Sequence, residues 1–174
     1  MSRFWPHSPY AEDQPFSHAI LYTHVLTRAV QAGSVLGTGA GASIFFLRHF
    51  GILKPRIAPS TFTTTLLRST GIGTVIGTGI LAVALPMMMR GKDEIEWQDR
   101  SWRLLENRGQ VECDDWTYVG MATGTVAAVV RGKVGELRWK GLAGGLGAGS
   151  VAGMVGYMAW RYGVKGGKWE ENIL

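Results

Sequence analysis

Glycine stands at every fourth position from Gly141 through Gly145 and Gly149 to Gly153, inside a run from Gly141 to Trp160 that carries no charge. At the period of an α-helix this spacing puts the four on one face and leaves a groove where a second helix can approach backbone to backbone. In water such a helix is poor, because an interior glycine costs about 1 kcal/mol relative to alanine. In a bilayer the backbone has no water to bond and must close its own hydrogen bonds, so the segment stays helical and its bare face becomes a packing surface. Its length also suits a hydrocarbon core of about 30 Å. The stretch reads as a membrane helix.

The same spacing recurs in three other uncharged runs. Gly33, Gly37 and Gly41 lie in Ala29 to Leu47, Gly73 and Gly77 in Ser69 to Met89, and Gly120, Gly124 and Ala128 in Trp116 to Val130. The predicted fold is an all-α membrane protein, a single domain over 1–174 with about four glycine-rich transmembrane helices. The spans fall near 27–47, 69–89, 116–131 and 141–160, packed on one another or on foreign helices through the small-residue stripes. The third span is short; a tilted crossing is preferred to a half-inserted segment. Glycine supplies 25 of the 174 residues, without the triplet period of collagen or the polar bias of a linker.

Charge sits between the runs. The formal net charge of +5 does not signal nucleic acid, because the basic residues flank apolar segments instead of forming one patch on a soluble fold. Connections 48–68 and 131–140 together hold eight Lys/Arg and the single acid Glu136. Basic density in short loops places them on the inner side and both termini outside. Arg28, near the start of the first span, is read as snorkelling to the headgroups. Ser17 or Thr23 is the expected cap of a first helix ending near Phe46, and Pro86 is expected to kink or close the second. Met1 to Gln14 reads as an extended tail presenting Trp5 and Tyr10 to an interface. It shows neither a secretory signal nor an Arg-rich transit peptide, so an organellar address would be internal.

The polar loop 90–115, RGKDEIEWQDRSWRLLENRGQVECDD, is predicted to hold an amphipathic helix from about Asp93 to Asn107, closed by Gly109. Ile95, Trp102 and Leu105 form its apolar side, with charge pairs among Asp99, Arg103 and Glu106. Trp97, Trp102 and Trp116 suit a membrane surface. Trp97, Trp102, Asp99 and Arg103 are the candidate partner-facing set.

Catalytic signatures are weak. Gly37, Gly39 and Gly41 mimic part of a dinucleotide fingerprint without a preceding strand, and the Gly-Lys at 167–168 is followed by Trp169 where a phosphate loop needs Ser or Thr. The four histidines are scattered, the one cysteine, Cys113, can form no internal disulfide, and the four spans as drawn contain no Asp, Glu, Lys or His. The expectation is no catalysis, no metal and no bound cofactor, structural phospholipid between helices being the one candidate ligand.

The stretch IEWQDRSWRLLENRGQVECDDW from Ile95 to Trp116, set among four glycine-rich spans, resembles a fungal accessory membrane subunit of mitochondrial respiratory complex I, the NUXM type. That resemblance implies an inner-membrane subunit of NADH:ubiquinone oxidoreductase that binds no flavin, iron–sulfur cluster or quinone. Its partners would be other membrane-arm subunits and the lipid bilayer. The chain is also similar in plan to the Tim17/Tim22/Tim23 superfamily, with four short glycine-rich helices and both termini in the intermembrane space. The long acidic loop departs from that plan. No family residue carries over from either resemblance.

Overall fold

The structure is a computed structural model describing residues 4–54 and 61–169. Within those residues all regular secondary structure is helical, without strands. The main elements are α1 (Ser17–His49), α2 (Phe62–Met88), α3 (Glu94–Glu106), α4 (Arg108–Val130), α5 (Lys133–Leu137) and α6 (Trp139–Met158). A 3-10 turn at Ala11–Asp13 precedes α1, and a π-helical turn at Ala159–Val164 prolongs α6. Three helices are long and apolar enough to cross a membrane: Ser17–His49, Phe62–Met88 and Trp139–Val164. The segment containing Trp116 to Val130 is not among them.

Helices outrun the expected spans because polar residues at their ends find partners. α1 begins at Ser17 with neither expected cap; Phe16 takes a left-handed conformation (φ 57°), and the Ser17 hydroxyl instead donates to Glu94 Oε1 at 2.7 Å. α2 starts at Phe62, where Thr61 accepts from the Thr64 amide, so Arg68 lies within the helix and not in a connection. Pro86 falls in the last turn of α2, where it leaves the Ala82 carbonyl without its helical amide donor and the helix closes at Met88. Residues 131–140 are not an open loop. They hold α5, with Lys133 and Glu136 paired at 2.5 Å.

The amphipathic helix is α3, capped by a reciprocal box in which Asp93 bonds the Glu96 amide and Glu96 reaches back. Its end differs from expectation. Gly109 lies inside α4; the break is at Asn107, whose side chain caps α4 through the Gln110 amide. The buried side of α3 is Trp97, Ser101 and Leu105, a spacing of four, while Ile95 is exposed. Leu21, Leu85, Met89 and Trp97 form a core cluster, so α3 is docked on α1 and the end of α2.

α1 and α2 form one antiparallel pair and α4 and α6 another, with α2 against α6 at the centre. α3, the start of α4 and the π turn gather at the end where α1 begins. The start of α2, α5 and the start of α6 gather at the other. The N-terminal segment folds back onto the first end instead of extending. Gln14 is buried and bonds Pro6 O at 2.8 Å, the Trp102 indole donates to Ser8 O at 3.0 Å, and His7 stacks on Trp102.

Candidate functional site

The predicted packing glycines sit at two backbone seams and their flanks. Between α1 and α2, a Cβ at Gly33 would strike the carbonyl oxygen of Gly73, and one at Gly73 would strike that of Gly33. At Gly37 it would lie 2.6 Å from Ser69 O, at Gly77 2.9 Å from Ala29 O, and at Gly41 3.0 Å from Ser69 Cβ. Between α4 and α6, Gly120 and Gly149 exclude a side chain from each other in the same reciprocal way. A Cβ at Gly124 would lie 2.7 Å from Gly149 Cα, and one at Gly145 2.5 Å from Ala128 Cβ. Gly153 abuts Trp116, but Gly141 faces Lys133 of α5. A further approach joins the pairs, where a Cβ at Gly71 would lie 2.9 Å from Gly144 N. The stripes therefore meet one another within the chain, and foreign helices are not needed to fill them.

Hydroxyls lock the junction. Ser34 and Thr74 bond at 2.8 Å, Thr38 and Thr70 at 2.9 Å. A Cβ at Gly147 would lie 2.6 Å from Ser34 Oγ, so a bare position on α6 admits this pair.

α1 and α4 scarcely touch at the backbone. Polar side chains fill the space between them. Arg28 Nη2 lies 2.8 Å from Oδ1 of Asp114, whose side chain is fully buried, and His24 Nδ1 lies 3.7 Å from Oδ2. The Arg28–Asp114 contact is an ion pair too poorly aligned to be a hydrogen bond, leaving both carboxylate oxygens without one. Arg28 Nη1 also donates to Gln31 Oε1 at 2.5 Å, Gln31 Nε2 to Thr117 Oγ1 at 2.8 Å, and Thr117 Oγ1 to Cys113 O at 2.7 Å. Thr27 and Tyr118 bond at 2.9 Å. Beside this cluster, Arg161 holds Glu112 through Nε at 2.9 Å and stacks on Trp169 at 3.8 Å.

Two expectations are corrected here. Arg28 does not snorkel freely; it is the counter-ion of a buried carboxylate. Because α1 and α4 extend beyond the expected spans, these helices contain an interior Asp114 and His24 after all. The overlooked signal was the polar stripe His24, Thr27, Arg28 and Gln31 on one face of α1.

The four residues proposed to face a partner divide. Trp97 is buried among Leu21, Leu85 and Met89 and stacks on His18 at 3.9 Å, so it cannot meet a partner. Trp102 holds the N-terminal segment. Asp99 and Arg103 pair at 3.0 Å, with Arg103 well exposed. At the start of α3, the Ser17 hydroxyl first, then His18, hold the Glu94 carboxyl below its usual range. Among the described residues, no group of three or more His, Cys, Asp or Glu side chains is placed to hold a metal ion.

No curated protein gives a significant match to the chain. Residues 12–159, which include both seams, match the profile of a family described as Protein of unknown function (DUF1757). The chain belongs to that family.

Proposed function

We propose that the chain is a non-catalytic accessory subunit of mitochondrial NADH:ubiquinone oxidoreductase, complex I, stabilising or assembling its membrane arm. In this reading α4 is the fourth glycine-rich span. The observation that carries it is the pair of seams: four helices close on one another by backbone contact, while the outward residues Leu36, Ile80, Val119 and Val126 stay exposed. Such a body suits lipid and neighbouring helices more than a substrate. Fifteen uncharged residues of α4 reach only about 22 Å at 1.5 Å per residue. The paired Asp114 lets the helix enter the bilayer deeper than an isolated acid would.

Complex I follows from the resemblance of Ile95 to Trp116, and with it inner-membrane residence, both termini in the intermembrane space, and membrane-arm subunits as partners. The chain itself carries no redox cofactor in this reading. Co-migration with NADH dehydrogenase activity on a native gel, and loss of that band's mass or yield when the chain is deleted, is the expected result. Absence of the chain from the band overturns the reading.

The second reading is a Tim17/Tim22/Tim23-like component of an inner-membrane protein translocase. It is favoured by the plan of two glycine-sealed helix pairs. Co-migration with a presequence translocase, without NADH dehydrogenase activity, would select it.

A further inference from the structure

Beyond Gly41 the end of α1 and the start of α2 border a cavity of about 250 Å³. Two arginines, Arg48 from the last turn of α1 and Arg68 from α2, line it together with Thr64, Ser69, Ile44 and Ile72. Arg48 Nε is buried and makes no hydrogen bond. Neither arginine has an acidic partner among the described residues. The nearby carboxylate, Glu136, is engaged by Lys133 and accepts from Thr64 at 3.0 Å, so it does not neutralise the pair. Two like charges facing one cavity repel, and a buried donor without an acceptor is unfavourable. Both problems are removed by an anion with several acceptor oxygens, which guanidinium groups bind in a planar, bidentate manner.

We propose that this cavity binds the phosphate headgroup of an anionic phospholipid. A lipid is favoured over free phosphate by position. Phe45 and Phe62 stack edge to face at 5.0 Å at the same end of the pair, and Ile44 and Ile72 give the wall an apolar side for acyl chains. Basic pockets between membrane helices take such headgroups. The inference rests on α1 and α2 spanning a bilayer and is independent of which complex contains the chain.

The test is native mass spectrometry of the full chain in neutral detergent, titrated with dioleoylphosphatidylglycerol, dioleoylphosphatidylcholine or inorganic phosphate. The glycerol lipid is expected to bind and the choline lipid to bind much more weakly. Arg48→Gln with Arg68→Gln should weaken the anionic lipid by roughly thirtyfold, and each single change by about fivefold. Equal affinity for the two lipids overturns the proposal, as does unchanged anionic-lipid binding by the variants. Displacement of the lipid by millimolar inorganic phosphate would assign the cavity to a small free anion and also overturn it. If the double variant fails to fold, the single variants and the wild-type lipid preference decide. Failure of the membrane reading would appear separately, as release of the chain from membranes by alkaline carbonate.

Discussion

The α1–α2 seam provides a matched comparison inside the same two helices. A methyl group at Gly33 or Gly73 would overlap a carbonyl oxygen of the facing helix, and at Gly33 it would also lie 2.9 Å from Gly73 C. At Gly39 and Gly79 it would meet nothing within 4 Å. Relieving the overlap requires the helices to part by roughly 0.5–1 Å, which forfeits a quarter to a half of each dispersion well. Taking the approaches Gly33–Gly73, Gly33–Gly77 and Gly37–Gly73, with on the order of ten atom pairs each at ~0.1–0.2 kcal/mol, the seam is worth about 3–6 kcal/mol. Gly33→Ala or Gly73→Ala should therefore be about 1–3 kcal/mol less stable than Gly39→Ala or Gly79→Ala. The gain in helix propensity from glycine to alanine is common to all four and cancels. The assay is unfolding of the purified chain in mixed micelles with rising SDS, followed by far-ultraviolet circular dichroism. The seam variants should unfold at lower SDS than wild type, and the open-site variants at or above it. Equal midpoints for the two sets would refute the claim that backbone approach holds these helices together.

Three further outcomes are expected. Asp114→Ala should destabilise by about 2–4 kcal/mol because Arg28 loses its buried counter-ion, and Arg28→Met in the same chain should recover part of that; a double-mutant cycle in the SDS assay showing no coupling would contradict the pairing. In a Cys113→Ser background, Lys92→Cys and Glu12→Cys should react with a membrane-impermeant maleimide from one side of proteoliposomes and Lys54→Cys from the other; labelling of all three from one side would exclude the four-span topology. The depressed Glu94 carboxyl contributes stability above its unfolded value near 4.5, and this is lost as pH falls through its lower folded value. Trp97 fluorescence should report loosening of α3 below about pH 4.5, and Glu94→Gln should remove that acid-dependent step; an unchanged acid profile would deny Glu94 the role.

The helices and bare faces are legible in the sequence because both are local: a spacing of four fixes a face once the segment is helical, and the amphipathic pattern after Asp93 places the start of α3. Which face meets which was not local. Nothing near Gly149 in the chain indicates that it closes on Gly120, or that Gly141 faces Lys133 of α5. Helix ends are not local either. A charge near a span boundary is expected to reach for water unless a counter-charge is known, and the partner of Arg28 lies far along the chain at Asp114. A tryptophan at 97 suits a membrane surface by its place in a polar loop, but its burial is set by Leu21 of α1 and by Leu85 and Met89 at the end of α2. The cavity at Arg48 and Arg68 likewise exists only because the end of α1 and the start of α2 are brought side by side. Periodicity determines what a helix can offer; only tertiary packing decides what it touches, because close packing and desolvation are set by atoms distant in the chain.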